Sequence, residues 1–182
     1  LYKSFEKEKF IKEFLNTNPN YIIYYGQCNK LDYDLIKEVI EKLSNIYFLF
    51  IGNLYQKNLR RFTNLKVINY LEHQQLMILL KNSQLMWCPF KRNKLSFSMT
   101  PIKFIEALSY GIPILSTEIF YKDSLTENLI DFKNNSFDHI QYINNFKKYE
   151  NSEKKSLRMN AVKNRTWDAI IKKYIDFIVS DY

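Results

Sequence analysis

The 182-residue sequence predicts an α/β fold: one domain built on an open parallel sheet with helices on both faces. Short apolar runs of strand length alternate with longer segments whose apolar residues recur at helical spacing. The three glycines, Gly26, Gly52 and Gly111, each border an apolar run, which is typical of the ends of strands and helices. With 46% hydrophobic and 16% aromatic residues, the chain has enough apolar surface to bury one sizeable core.

The N-terminal half supplies the first helices and strands of this pattern. Residues 5–15 alternate charged and large apolar side chains, which predicts an amphipathic helix. We interpret residues 1–20 as a linker or brace and residues 21–182 as the folded domain. Continuous apolar runs typical of buried strands lie at 21–25 and 46–51, and mostly apolar runs at 65–68 and 84–90 predict two further strands. Helical periodicity lies at 31–43 and 74–80.

The C-terminal half begins with a short helix followed by a strand. Pro101 suits a first helical turn, because the N–H group that proline lacks would have no partner there. Gly111 suits the end of that helix, and residues 112–115 predict a buried strand. The remaining apolar patterns predict helices over 121–130, 137–146 and 156–179.

The net charge of +8 leaves several classes of partner open. A basic surface suits nucleic acid, an anionic membrane surface or an anionic ligand, and it also suits plain solvation. Cys28 and Cys88 lack the spacing of metal ligands, which favours reduced thiols in a cytoplasmic protein. We find neither a signal peptide nor an apolar stretch of about twenty residues. Because the sequence opens at Leu1 rather than Met, we expect it to be part of a longer protein.

Residues 100–117, TPIKFIEALSYGIPILST, predict a ligand site. A loop that enters a helix N-terminus presents free N–H groups, which are suited to phosphate. Glu106 lies on the turn behind that N-terminus, within reach of the neutral hydroxyls of a ligand.

The same segment resembles the donor-binding motif of GT-B glycosyltransferases, which are nucleotide-sugar-dependent enzymes with two Rossmann-like domains. The matching positions are Pro101, Lys103, Glu106, Gly111, Pro113, Ser116 and Thr117. The resemblance covers about residues 21–178. It implies a single Rossmann-like domain, equivalent to the C-terminal half of a GT-B fold.

This resemblance assigns roles to the residues of the segment. Glu106 would accept hydrogen bonds from the two ribose hydroxyls, a geometry that suits a carboxylate. The positions that would face the diphosphate and the donor sugar are Ser98, Met99, Thr100, Pro101 and Lys103. Many retaining relatives carry a second glutamate where Ser98 stands here, so the stereochemical outcome stays open.

Two further strand ends are implied in donor binding. Gly26 and Gln27 would form the loop near the diphosphate, where close approach of the backbone requires a residue without Cβ. An ordinary strand-ending turn is the alternative for Gly26. Lys30 is either a phosphate partner or an exposed lysine.

The end of the predicted strand at 65–68 would bind the nucleobase. In relatives a glycine follows this strand; here Asn69 takes its place, and asparagine tolerates the left-handed backbone conformation. Tyr70 and Leu71 would then flank the base, and a place in the core is the alternative for Tyr70.

Several other motifs have simpler explanations. Asp32-Tyr33-Asp34 has the form of a metal-binding Asp-x-Asp motif but stands at a helix start, which favours a capping role. His73 and His139 lack partners at the spacing of a catalytic triad or metal site. The basic residues of 147–173 suit a solvated helix face, with an anionic membrane surface as the alternative. In many GT-B proteins a motif like residues 164–167 opens the closing helix.

From these observations we expect the donor-binding domain of a bacterial hexosyltransferase or other glycosyltransferase of polysaccharide biosynthesis. Its partners would be a UDP- or GDP-sugar and, through a missing N-terminal domain, a glycan or lipid-linked acceptor. We expect it to need no cofactor or metal and to bind no nucleic acid. Its expected location is the cytoplasm, where it would contact the inner face of the membrane at most peripherally. Alone it would bind nucleotide without turnover. The alternatives are a UDP-sugar 2-epimerase and a non-catalytic nucleotide-binding or docking module.

Overall fold

A computed structural model describes residues 2–94, 102–119, 127–165 and 167–180. Six strands form one parallel sheet: β1 (Tyr21–Tyr25), β2 (Tyr47–Ile51), β3 (Leu65–Ile68), β4 (Leu85–Cys88), β5 (Ile114–Ser116) and β6 (Ile130–Phe132). The order across the sheet is β3-β2-β1-β4-β5-β6. This is the strand order of a doubly wound Rossmann sheet. From β1 the chain adds strands first on one side (β2, β3) and then, from β4 onward, on the other, so the order reverses between β1 and β4. The predicted parallel α/β sheet is confirmed.

The described helices flank this sheet. They are α1 (Tyr2–Thr17), α2 (Tyr33–Lys42), α3 (His73–Asn82), α4 (Ile102–Ser109), α5 (Ser136–Tyr149), α6 (Ser152–Val162) and α7 (Trp167–Ser180). Helix α1 packs Ile11 and Phe14 into the core, and the ring of Phe14 lies 5.0 Å from that of Tyr21. Asp32 is the N-cap of helix α2, and its carboxylate accepts a hydrogen bond from the backbone N–H of Leu35 at 3.1 Å. The predicted capping role of Asp32 is therefore confirmed.

The centre of the core contains a polar pair inside an aromatic cluster. Trp87, fully buried on β4, has ring contacts to Phe48 and Phe50 of β2 at 5.4 and 6.1 Å. Its indole N–H donates to Nδ1 of His139 at 3.0 Å, while Nε2 of that histidine lies 3.1 Å from the carbonyl oxygen of Lys133. With both nitrogens so placed, the imidazole is neutral, and burial lowers its pKa to about 4. His139 is thus a structural residue that ties α5 to the sheet.

Helix α4 and its end follow the prediction. Gly111 has φ +71°, the left-handed conformation that commonly follows the last turn of a helix. Its carbonyl oxygen accepts a hydrogen bond from Nε of Arg158, whose other nitrogens pair with the carboxylate of Glu150. This buried arginine therefore fixes the α4–β5 junction to α6. Pro101, the predicted first residue of the helix, lies outside the described residues.

Two predictions in the C-terminal part are wrong. Residues 127–129 form a 3₁₀ turn and Ile130–Phe132 form β6, where a helix was expected up to residue 130. Pairing with β5, such as Ile130 opposite Ile114, overrides the local helical pattern. The segment 156–179 is not one helix, because the chain turns at 163–165 between α6 and α7. The resemblance of residues 164–167 to the motif that opens the last helix of GT-B proteins was the better guide, since α7 begins at Trp167.

Within the part of the chain that the structure describes, no helix combines the length and the apolar character needed to cross a bilayer.

Candidate functional site

The carboxyl ends of β1, β2 and β3 open into a cleft of about 520 Å³. Its lining residues are Tyr25, Gly26, Gln27, Cys28, Asn29, Ile51, Gly52, Asn53, Tyr55, Asn69, Tyr70, Leu71 and Leu76. In open α/β sheets the crevice outside the carboxyl ends of the strands is where ligands bind. The volume falls within the range of about 300–1,000 Å³ that is typical of small-molecule sites. The cleft is therefore the candidate site.

The loop after β1 depends on the conformation of Gly26 and on a side-chain hydrogen bond from Tyr24. Gly26 has φ +114°, a conformation that disfavours any residue with a side chain. A Cβ atom at this position would lie 2.8 Å from Nζ of Lys103, so the glycine also allows the lysine to approach the loop. The phenol of Tyr24 donates to the carbonyl oxygen of Gln27 at 2.7 Å. Gly26 and Gln27 thus lie where the sequence predicted them, at the wall of the cleft.

Lys103 extends from α4 to the end of β1. Its Nζ atom donates to the carbonyl oxygen of Tyr25 at 2.6 Å and lies 4.6 Å from the ring centre of Tyr24 and 5.5 Å from that of Phe90. Although the residue as a whole is only half-buried, its ammonium end lies among these aromatic rings. Desolvation lowers the pKa of Lys103, and the nearby charge of Lys30 lowers it further. An anion bound beside this ammonium would compensate for the lost solvation.

Glu106 lies one turn further along α4 and is held by the same strand end. The phenol of Tyr25 donates to Oε2 of Glu106 at 2.5 Å. Burial, together with this carboxylate, raises the pKa of Tyr25, so the phenol stays protonated and remains a donor. The Glu106 side chain is 26% exposed, and its other oxygen, Oε1, lies 4.0 Å from Nε2 of His73. A partly exposed, fixed carboxylate of this kind can accept hydrogen bonds from hydroxyl groups of a ligand.

The end of β3 presents an aromatic ring to solvent. Tyr70 is 62% exposed, its phenol donates to Glu72 at 3.1 Å, and the ammonium of Lys7 on α1 lies 4.8 Å from its ring centre. The alternative that Tyr70 belongs to the core is therefore wrong. The next residue, Leu71, is buried. The left-handed turn predicted at Asn69 is also wrong, because no described residue other than glycine has a positive φ.

Sequence comparison identifies the family. The model of the family described as "Glycosyl transferases group 1" matches residues 5–165. The chain belongs to this family. A search among curated proteins gave no match.

Solved structures show the fold that this group 1 glycosyltransferase domain shares. Anabaena HepE in complex with UDP-glucose is 14% identical over 97% of this chain and 53% of its own, with a TM-score of 0.59. The UDP-GlcNAc 2-epimerase from Neisseria meningitidis, bound to UDP-GlcNAc, is 16% identical over 98% of this chain and 52% of its own, with a TM-score of 0.60. The pneumococcal O-GlcNAc transferase GtfA, in complex with UDP and GlcNAc, is 13% identical over 90% of this chain and 36% of its own, with a TM-score of 0.59.

The group 1 domain spans roughly a third to a half of the length of these proteins. At these identities the similarity establishes the fold, which is that of the C-terminal domain of a GT-B protein. The predicted Rossmann-like, GT-B-type domain is confirmed.

Some predicted site residues lie away from the cleft or outside the described residues. Ser98, Met99 and Thr100 of the predicted phosphate loop lie outside the described residues, as does Pro101. Lys30 belongs to the short 3₁₀ turn Cys28–Lys30 and does not line the cleft, although its charge acts on Lys103. Lys103 and Glu106 do not line the cleft either, but both are hydrogen-bonded to Tyr25, which does. Their roles in donor binding stay predictions.

Two residues in contact with Lys103 or Glu106, Tyr25 and His73, were not predicted from the sequence as site residues. Tyr25 was predicted only as part of a strand. His73 is the first residue of α3 and comes close to Glu106, a residue of α4 that is distant in sequence. No spacing rule connects the two positions. The one available signal was the position of His73 just after β3, at the carboxyl edge of the sheet.

A second hollow, of about 450 Å³, lies beside β6 and contains none of the predicted site residues. Four of its polar side chains form two pairs, since the phenol of Tyr142 donates to Asp131 at 2.7 Å and Arg158 donates to Glu150. Among the described residues, no three His, Cys, Asp or Glu side chains lie close enough together to hold a metal ion. Cys28 and Cys88 are both buried and form no disulfide.

Proposed function

We propose that this chain is the donor-binding domain of a glycosyltransferase that uses a nucleoside-diphosphate sugar. The observation that carries the proposal is that Lys103 and Glu106 lie on the same helix, at the point where the strand order of the sheet reverses. An ammonium and a carboxylate, both held by Tyr25, match the two chemically different parts of such a donor. The diphosphate needs cationic and N–H donors, and the ribose diol needs an acceptor.

The cleft supports this orientation of the nucleotide. The Gly26 loop and Lys103 lie at the end of β1, and Tyr70 and Leu71 lie at the end of β3. We propose that the diphosphate lies at the first of these positions and the base at the second. The exposed ring of Tyr70 suits stacking against a nucleobase. Solved structures of the same fold contain UDP, UDP-glucose or UDP-GlcNAc, which is consistent with this class of ligand.

The reaction requires stabilisation of the diphosphate leaving group. We propose that backbone N–H groups at the start of α4, together with Lys103, supply it without a metal ion. Preorganised donors in a desolvated site stabilise developing negative charge without reorganisation of solvent. The lowered pKa of Lys103 reflects desolvation of this kind.

We further propose that the acceptor is a glycan or lipid-linked sugar bound by a second domain. An apolar stripe on α7 is consistent with such a domain, because Ile171, Tyr174, Ile175 and Ile178 are exposed at helical spacing. A contiguous exposed apolar stripe is typical of an interaction surface. The solved relatives are two to three times as long as the part that this chain covers, which leaves room for that domain.

Isothermal titration calorimetry tests donor binding. UDP, GDP, UDP-sugars and GDP-sugars would be titrated into the wild type, Glu106→Ala and the control Glu41→Ala, which changes an exposed glutamate on α2. We expect one nucleotide series to bind the wild type and the control equally, and Glu106→Ala to bind at least tenfold more weakly. Absence of binding to the wild type, or equal affinity for Glu106→Ala, would refute the proposal.

A UDP-sugar 2-epimerase is the second candidate, because the Neisseria epimerase has this fold with a similar TM-score of 0.60. The family match favours the transferase. An assay with the full-length protein separates the two: an epimerase converts the UDP-sugar without an acceptor, whereas a transferase releases the nucleoside diphosphate only as sugar is transferred.

A further inference from the structure

The two oxygens of the Glu106 carboxylate have different environments. Oε2 accepts the hydrogen bond from the Tyr25 phenol at 2.5 Å. Oε1 lies 4.0 Å from Nε2 of His73, which is too far for a direct hydrogen bond. The Glu106 side chain is 26% exposed and that of His73 is 70% exposed, so a ligand can reach the space between them.

The gap between Oε1 and Nε2 has the size for one bridging hydroxyl group. An oxygen atom placed about 2.8 Å from both atoms makes two hydrogen bonds of ordinary length. A hydroxyl donates one proton and accepts through its lone pairs, so it can donate to the carboxylate and accept from an imidazole N–H. An ether or carbonyl oxygen cannot donate to the carboxylate, and an ammonium cannot accept from an imidazole N–H. The geometry therefore suits a hydroxyl.

We propose that His73 is a specificity-determining residue that binds one ribose hydroxyl of the nucleotide together with Glu106. This inference rests on the proposed function, because it assigns the ribose to Glu106. It adds a second residue, from α3, that contacts the same hydroxyl from the opposite side. The consequence is discrimination between ribonucleotides and deoxyribonucleotides, which a carboxylate alone provides less strongly.

The surroundings of His73 support a defined position for the imidazole. Helix α3 is anchored by Leu79 and Leu80, both fully buried. Its first turn is fixed by Gln75, whose side-chain oxygen accepts from the backbone N–H of Glu72 at 3.3 Å. Glu72 itself is engaged with the phenol of Tyr70. The nearest described carboxylate partner of His73 is therefore Glu106.

The test is calorimetric titration with matched nucleotides. UDP, 2′-deoxy-UDP and 3′-deoxy-UDP, and the corresponding guanosine diphosphates, would be titrated into the wild type, His73→Ala and His73→Gln. Gln74→Ala serves as the control, because Gln74 is exposed on the same turn of α3. Thermal unfolding of each variant checks that the fold is retained, as expected for a change at an exposed residue.

We expect the wild type and Gln74→Ala to prefer the ribonucleotide over one of the two deoxy analogues by at least about tenfold. His73→Ala should lose about three- to tenfold in affinity for the ribonucleotide and retain its affinity for that analogue, so that the preference shrinks. His73→Gln keeps an N–H donor and should therefore recover part of the preference for the ribonucleotide.

Three results bear on the outcome in different ways. If the wild type binds nucleotide but His73→Ala keeps the full preference, the inference is overturned while donor binding stands. Equal binding of the ribonucleotide and both analogues by the wild type also overturns it. If the wild type binds no nucleotide, the proposed function itself fails, and this inference fails with it.

Discussion

The ammonium of Lys103 donates a hydrogen bond to the carbonyl oxygen of Tyr25 at 2.6 Å, at the residue where β1 ends. The phenol of the same tyrosine donates to Glu106 at 2.5 Å. Tyr25 therefore connects the two predicted donor-binding residues, one through its backbone and the other through its side chain. The positions of the cation and the carboxylate are coupled, and a change in either should affect the other.

Substitution Lys103→Met should reduce binding much more than stability. Burial of the ammonium opposes folding, as its lowered pKa shows, whereas loss of the bond to Tyr25 leaves a carbonyl oxygen without this donor. These effects have opposite signs, so we expect the free energy of unfolding to change by no more than about 1 kcal/mol. Nucleotide affinity should fall at least about tenfold. Urea unfolding and calorimetry measure the two quantities, and a large loss of stability would indicate a purely structural lysine.

Substitution Tyr25→Phe should weaken nucleotide binding by about three- to tenfold, because Glu106 loses the donor that fixes its carboxylate. Tyr142→Phe is the matched control, since it removes a similar phenol–carboxylate bond to Asp131 away from the cleft. Both variants should lose comparable stability, and only the first should lose affinity. Equal affinities in calorimetric titration would show that Tyr25 does not position Glu106.

Substitution Gly26→Ala should damage the site through the backbone. The new methyl group would meet Nζ of Lys103 at 2.8 Å, and φ +114° disfavours alanine. We expect a loss of about 1–3 kcal/mol in stability together with reduced nucleotide affinity. Gly111→Ala, at φ +71° and outside the cleft, should also be destabilising but should leave affinity unchanged. Thermal melts and titrations would be compared, and unaltered binding by Gly26→Ala would contradict this view of the loop.

Acid should destabilise the fold through His139. Its pKa is lowered from 6.5 to about 4, chiefly by burial, so below pH 6.5 the unfolded chain takes up the proton first. The stability provided by the neutral imidazole is complete above pH 6.5 and is lost as pH falls to 4, by about 3 kcal/mol in total. Urea midpoints of the wild type and His139→Gln between pH 4 and 7 measure this effect as a difference, which cancels the other titrating groups. Parallel pH profiles would contradict it.

The first five strands could be predicted because each lies in a mostly apolar run bounded by a polar segment or a glycine. Strand β6 was not predicted, since the three residues Ile130–Phe132 carry no strand pattern of their own and are ordered by pairing with β5. The break between α6 and α7 was also not predicted from the apolar periodicity. Apolar residues recur on both sides of it, so helical periodicity alone does not show where one helix ends and the next begins.

The site was predicted in part. Lys103 and Glu106 belong to one continuous motif, so their proximity follows from helical spacing alone. Tyr25 was predicted only as a strand residue, and His73 only as an isolated histidine, because their contacts to Glu106 join elements that are far apart in sequence. Such contacts depend on strand order across the sheet, which local pattern does not determine.

Co-crystallisation with UDP, and separately with GDP, tests the central claim most directly. The account predicts that one of these nucleotides occupies the cleft, with its ribose hydroxyls against Glu106, its diphosphate beside the Gly26 loop and its base toward Tyr70. A nucleotide bound elsewhere, for example in the hollow beside β6, would contradict it. So would a cleft that stays empty of nucleotide at saturating concentration.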